Sequence, residues 1–185
     1  RFINEIKLNR NGLEPYPIAL RGINWIKFIS LNYSNISLEE KKIWDASLYA
    51  QYKILQDNLE YHLLGNHLLE DSFSLLWAAL YFEDKLIYRQ AEQLLFKELE
   101  EQILPDGAHY ELSPMYHEIL LDRLLDCINI SKNNHRFDKQ ILLTNWLEEK
   151  AVLMLGWLEA IIFRDGSIPL FNDAANGIAP TSNEI

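Results

Sequence analysis

The sequence predicts an all-α fold, and three observations predict it. Apolar residues recur at intervals of three and four through successive long stretches, the period of one face of a helix. Only 7 glycines and 6 prolines interrupt a chain of 185 residues that is 49% hydrophobic, which fits a folded, mostly helical protein and not a disordered one. No stretch shows the strict alternation of a half-buried strand. At this length a single domain over residues 1–185 is expected, with 164–185 as an exit loop or linker. The opening on Arg1 and the polar end Asn183-Glu184-Ile185 fit a piece of a longer protein.

Residues 1–16 read as irregular, and Glu14-Pro15-Tyr16-Pro17 punctuates the entry to a first helix over about 17–31, carrying Ile18, Gly22, Trp25, Ile26 and Ile29. After the polar break Asn32 to Asn35, Ser37-Leu38-Glu39-Glu40 is a capping box. It starts a second helix with Trp44, Leu48, Leu55 and Leu59 on one face, expected to run without Gly or Pro to Leu64. Gly65 can then take the left-handed conformation that closes a helix, and Asn66 is a good N-cap for the next. The third helix, 67–83, is apolar nearly all round, the mark of an inner helix. A fourth, about 85–103, buries Ile87, Ala91, Leu94, Leu95, Leu99 and Ile103 and turns its acidic residues to water. The segment Leu104 to Leu112 is too rich in turn residues to be helical. Ser113-Pro114 restarts a helix that carries Tyr116, Leu120, Leu124, Cys127 and Ile128 as far as Ser131. The sixth helix, about 137–163, offers Leu142, Trp146, Leu153, Trp157, Ala160 and Ile161 to the core.

The charge balance narrows the function classes. With 17 Lys and Arg against 27 Asp and Glu, the net charge of −10 disfavours general binding to nucleic acid or to an anionic membrane, which rests on neutralising phosphates. No apolar run is long enough to insert in a membrane. Cys127 is the sole cysteine, so no internal disulfide forms, and its simplest role is a small apolar residue on a helix. No metal and no cofactor are expected: His67 and Asp71 have ligand spacing, but no second matched pair accompanies them.

If helices two to six alternate in direction, the turn after helix two, the loop after helix four and the tail after helix six emerge at one rim. That rim collects Asn66, His67, Glu70, His109, Tyr116, His117, Asn172 and Asp173. Each has a plainer role alone: Asn66 as a cap, Glu70 as a solvated first-turn acid, His67 as a satisfied, partly buried histidine, Tyr116 as a core residue, His109 as a loop brace, His117 as a surface neighbour, and Asn172-Asp173 as a turn. Their convergence favours a site.

These residues fall in blocks: Pro15-Tyr16-Pro17 with Arg21 and Asn24-Trp25-Ile26-Lys27; Gly65-Asn66-His67-Leu68-Leu69-Glu70; Gln102 through His117; and Asp165-Gly166 with Pro169-Leu170-Phe171-Asn172-Asp173. In these blocks the sequence resembles the helical amino-terminal part of the heparinase II/III-like polysaccharide lyases, relatives of the chondroitin AC and alginate lyases. The resemblance implies an incomplete (α/α) toroid of antiparallel hairpins, followed by a β-sandwich domain that this chain lacks. It implies cleavage of a uronic-acid-containing polysaccharide by β-elimination. Asn66, His67 and Tyr116 match catalytic positions: Asn66 neutralises the substrate carboxylate, His67 assists it, and Tyr116 is the acid/base. Glu70, His109, His117, Asn172 and Asp173 would contact substrate. The remaining acid/base group would come from the β domain. The implied location is periplasmic or extracellular, with a cytoplasmic one left open. Few Lys or Arg lie near the expected rim, which favours a sparsely charged uronate polymer or bacterial exopolysaccharide over heparin. Two alternatives remain: a non-catalytic glycan-binding or polysaccharide-assembly protein, and a helical scaffold for a partner.

Overall fold

The computed structural model describes Ile3 and residues 12–63, 65–182 and 184–185. Among these are six long helices and no strand: α1 Pro15–Leu31, α2 Leu38–Asp57, α3 His67–Phe82, α4 Lys85–Gln102, α5 Pro114–Asn133 and α6 Gln140–Ile161, with a short 3-10 turn at Tyr33–Asn35. The fold is therefore all-α, as the sequence predicts. Two compact units divide it, Arg1–Ala91 and Glu92–Ile185. None of the described helices is long and apolar enough to cross a membrane.

In the first unit α1 packs on both α2 and α3. It starts two residues earlier than its apolar stripe requires, because Pro15, which lacks an N–H, suits the first helical turn. Its buried face is Ile18, Ala19, Gly22, Ile23, Ile26 and Ile29. Glycine at 22 permits a close crossing, since a Cβ there would lie 2.2 Å from the Tyr52 hydroxyl oxygen. That hydroxyl pairs with Ser74 Oγ at 3.0 Å, and Ser74 donates to the Ala19 carbonyl at 2.8 Å. One buried polar chain thus pins α1, α2 and α3 together, with every group in it satisfied. Ser37 and Glu40 form both bonds of the expected capping box. α3 is buried along nearly its whole length, Leu68 to Leu76 and Ala78 to Leu80, which makes it the inner helix of the unit. Asp84 stops and restarts the chain: Glu83 closes α3 in the left-handed region, and Asp84 Oδ1 accepts from the backbone of Leu86 and Ile87.

α2 corrects the sequence reading. It ends at Asp57, not near Leu64, which itself lies outside the described residues. Asn58 is the cause: its side-chain amide takes the Ile54 carbonyl at 2.8 Å, and its backbone N–H takes that of Leu55. Those acceptors close the helix, and Leu59 turns back into the core from outside it. Gly65 does have positive φ, at 109°, but it sits in the turn that leads into α3 and not at a helix end.

In the second unit α5 and α6 pack together across a short joint. Gln140 organises that joint: its Oε1 accepts from Arg136 and Phe137, while its Nε2 donates to the carbonyls of Ser131 and Asn134. The buried stripe of α6 is Leu143, Leu147, Ala151, Met154 and Leu158. The expected face is wrong here: Leu142 and Leu153 are exposed, and Trp146 and Trp157 are half-buried. Both sides of α6 carry large apolar residues, Ile141 and Val152 among the exposed ones, so periodicity could not choose between adjacent stripes. Lys150 crosses to α4, pairing with Glu100 at 2.8 Å over the Trp146 ring.

After α4 the chain makes a tight loop. Leu104 and Ala108 are joined through N–H and carbonyl at 2.9 Å, Tyr110 donates to Gln102, and Ile103 bridges His109. Pro105, Asp106 and Gly107 supply the turn chemistry, with Asp106 Oδ1 accepting from Ala108 and Gly107 at φ 92°. Gly107 rests on the α6 backbone: a Cβ there would lie 2.0 Å from the Leu153 carbonyl oxygen.

Candidate functional site

The residues singled out from the sequence fall in two sets, one in each unit. In the first, the early end of α2 is followed by successive turns over residues 58–63, Tyr61 N–H to Leu59 and Leu63 N–H to Glu60. Glu60 is thereby brought back against the start of α3, where its Oε2 meets His67 Nδ1 at 3.0 Å. The Tyr16 ring stacks on the His67 imidazole, with centroids 4.5 Å apart and planes 28° from parallel. Tyr16 and Glu60 thus hold His67 from two sides and leave it partly exposed.

Asn66 precedes α3 in right-handed helical geometry, φ −74° and ψ −10°, and its side chain makes no capping bond. Its carbonyl instead accepts the first helical bond, from the Glu70 N–H at 2.9 Å. The side-chain amide of Asn66 is uncommitted among the described residues, so capping does not explain why asparagine stands there. Glu70 and Asp71 lie beneath, both fully buried. Burial above all pushes the Asp71 carboxyl up to about 7; the Glu60 and Glu70 charges add to this, and the Glu60 backbone amide opposes it. Glu70 is the departure from the solvated first-turn acid the sequence suggested: it lies fully buried in the first turn of α3.

In the second unit the Ser113 side chain caps α5, accepting from the Tyr116 N–H at 3.5 Å. Tyr116 is half-buried in the first turn, not in the core as its plainer role would have it, and its hydroxyl meets no partner among the described residues. Asn172 ties the tail to the loop before α5 by donating from Nδ2 to the Leu112 carbonyl at 3.1 Å. Asn172 and Asp173 are exposed and both have positive φ, 48° and 63°, a conformation that Asn and Asp tolerate in tight turns.

His109 and His117 are fully buried and bonded to their surroundings. The His109 backbone N–H donates to His117 Nδ1 at 3.3 Å, the His109 Nε2 edge meets Gln102 Oε1 at 3.0 Å, and His117 Nε2 faces the Met154 carbonyl at 3.0 Å. Because Nδ1 of His117 accepts, its proton sits on Nε2 and is given to Met154. Trp157 lies against the same ring at 4.6 Å. Burial holds both imidazoles well below the usual histidine range, at about 4, so both are neutral at physiological pH. As placed, neither ring is open to a ligand, and each braces the loop that leads to Tyr116. This corrects the surface placement expected of His117 and supports the plainer role of His109.

Tyr16 and Glu60 are the residues the sequence reading missed at His67. Tyr16 lay in a noticed block without a role, and Glu60 was hidden in the supposed continuation of α2.

A family model described as Heparinase II/III N-terminus matches residues 28–182. Among solved structures, the chain is similar to the crystal structure of heparan sulfate lyase HepC from Pedobacter heparinus, at 23% sequence identity and a TM-score of 0.64. The similarity covers 87% of this chain and 25% of that one, so the chain spans about a quarter of that lyase's length. At this identity the likeness speaks for the fold. No curated protein matches in sequence.

Proposed function

The chain belongs to the heparinase II/III N-terminal family, and from that premise we propose that it is the helical part of a polysaccharide lyase that cleaves a uronate-containing glycan by β-elimination. The family match over residues 28–182 carries this reading. In β-elimination a base removes the proton beside the uronate carboxylate, the bond from the neighbouring carbon to the glycosidic oxygen breaks, and that oxygen gains a proton. The products are a chain ending in an unsaturated uronate and a new terminal hydroxyl. Such a proton is poorly acidic while the carboxylate keeps its charge, so donors to the carboxylate and a proton source for the leaving oxygen are both required.

Asn66 supplies the first. Its amide, uncommitted among the described residues, can donate to the carboxylate without giving up a bond made by any of them. His67 stands beside it, held by Glu60 and Tyr16. Tyr116 supplies the second as acid/base, with a hydroxyl that no described group occupies. Asp173 and the Asn172 turn serve as outer contacts, while His109 and His117 keep the loop before Tyr116 in shape. Glu70, buried as it is, helps only in its protonated form. A further acid/base group comes from a part of the protein beyond this chain, a β-sandwich domain in this reading.

The net charge of −10 favours a polymer with few charges besides its uronates. The structural neighbour is a heparan sulfate lyase, and the least sulfated stretches of such glycans are the nearest match to that charge. A lyase for such a polymer works where the polymer is, in the periplasm or outside the cell. The test is turnover by the full-length protein on alginate, hyaluronan and heparan sulfate, read as absorbance of the unsaturated product. Turnover of a sparsely sulfated polymer that Asn66→Ala abolishes is expected. Binding of the same polymer with no product would replace the lyase reading by a non-catalytic glycan-binding one.

A further inference from the structure

Glu60 lies seven positions before His67, in the segment where α2 has already ended, and the turns at 58–63 help bring the two together. The side chain of Glu60 is nearly buried, 13% exposed, while that of His67 is 39% exposed. A nearly buried carboxylate whose hydrogen-bonding side-chain partner among the described residues is a half-open imidazole is a poor stabilising device: a pair like this contributes little when screened by water. It is an effective orienting device, because a carboxylate has only acceptor atoms and can meet Nδ1 only if that nitrogen carries the proton. Tyr16, stacked at 4.5 Å, fixes the plane of the same ring. Nε2 meets no hydrogen-bonding partner among the described residues.

We propose that Glu60 is a positioning residue that commits His67 Nδ1 and so leaves Nε2 as the one ring atom that meets substrate. The proposal rests on the reading of His67 as a group of the glycan site and adds how that group is aimed. Held in this way, a neutral His67 presents the Nε2 lone pair to a sugar hydroxyl or to a proton in transit. A ring with a second proton presents an N–H to the carboxylate. In the neutral form His67 therefore cannot donate to the carboxylate, and that task falls to the Asn66 amide. Division of labour between two adjacent residues follows from one bond made behind them. Glu70 and Asp71, the other carboxyls at this end of α3, are fully buried and do not substitute for Glu60, whose bond to Nδ1 is direct.

The experiment uses the full-length protein labelled with 15N in histidine, at about pH 9, where a histidine ring is neutral and its tautomer can be read from the nitrogen shifts. Wild type is expected to carry the His67 proton on Nδ1, Glu60→Gln to keep it there through its amide oxygen, and Glu60→Ala to move it to Nε2. On the polymer that wild type turns over best, Glu60→Ala should lose about tenfold to a hundredfold in kcat/KM, the size of loss that follows when the orienting partner of a metal-bound histidine is removed. Glu60→Gln should recover most of it. An Nε2 proton in wild type, an unchanged tautomer in Glu60→Ala, or full kcat/KM in a Glu60→Ala protein with the altered tautomer would each overturn the proposal. If wild type turns over no polymer, the lyase reading falls separately. The proposal is then decided by hyaluronan oligosaccharides: a shift at His67 Nε2 in wild type that Glu60→Ala loses supports it, and no shift in wild type overturns it.

Discussion

Replacing Asp71 by asparagine should change how the stability of the first unit depends on pH. The Asp71 carboxyl is fully buried, neither oxygen meets a hydrogen-bond donor in good geometry among the described residues, and burial pushes its pKa up from 3.8 to about 7. An unfolded chain releases this proton near the ordinary aspartate value, whereas the folded chain keeps it until about pH 7. Between those two values the folded state binds the extra proton, so stability falls as pH rises through the window and is level above it. A gap of about 3 pH units at about 1.4 kcal/mol each makes the whole change about 4 kcal/mol. Roughly 3 kcal/mol of it lies between pH 5 and pH 8. Asparagine keeps the shape and has no proton to lose. Urea denaturation of wild type and Asp71→Asn at a series of pH values, followed by circular dichroism and tryptophan emission, isolates this contribution, because every other titrating group is common to both. The variant should gain on wild type by about 3 kcal/mol from pH 5 to pH 8. A difference that stays constant with pH, or one that favours wild type as pH rises, would refute the placement of Asp71 as a buried acid.

The opposite pH dependence is expected in the second unit. His109 and His117 stay neutral in the fold down to about pH 4 while the unfolded chain takes up protons near 6.5, so stability is full above 6.5 and falls on acidification, by roughly 3 kcal/mol for each ring at the acid end; Trp157 emission, read beside His117 between pH 7 and 4, reports it. Gly107→Ala drives a Cβ against the Leu153 carbonyl at a residue with φ of 92°, and should destabilise by about 2 kcal/mol or more in urea titrations. Gly22→Ala displaces the Tyr52 hydroxyl from Ser74 and should destabilise by about 1 to 3 kcal/mol, with loss of amide-exchange protection in α1 and α3. Ser37→Ala removes one half of a capping box and should lower stability by about 1 kcal/mol, with fraying confined to the first turn of α2.

Helices were legible wherever one face differed chemically from the other. The stripe Ile87, Ala91, Leu94, Leu95 and Leu99 on α4, with Ile103 just after it, is buried as its spacing implies. Caps with a specific hydrogen bond were legible too, at Ser37 and Ser113. Two kinds of feature were not. The buried side of α6 was unreadable because apolar residues lie all round it, and tertiary packing, chiefly against α5, selects Leu143, Leu147 and Met154. The end of α2 was missed because Asn58 stops it by a local side-chain bond, without Gly or Pro. That small error hid Glu60, which helical geometry would have carried past His67. The identities of Asn66, His67 and Tyr116 as site candidates came from residue type and from the resemblance in their blocks. What surrounds them is tertiary: the ring of Tyr16, the Glu60 carboxylate, and the His109–His117 bracket beneath the loop.

The assignment of Tyr116 as the acid/base of an eliminating site is the centre of the account, and removal of one oxygen tests it. Phenylalanine at 116 keeps the ring and takes away only the hydroxyl, which bonds to nothing among the described residues, so folding should be unchanged. The full-length Tyr116→Phe protein should melt with wild type, still bind the uronate polymer, and form unsaturated product at least about a hundredfold more slowly, the loss expected when a general acid is removed. Product formation at the wild-type rate would contradict the account.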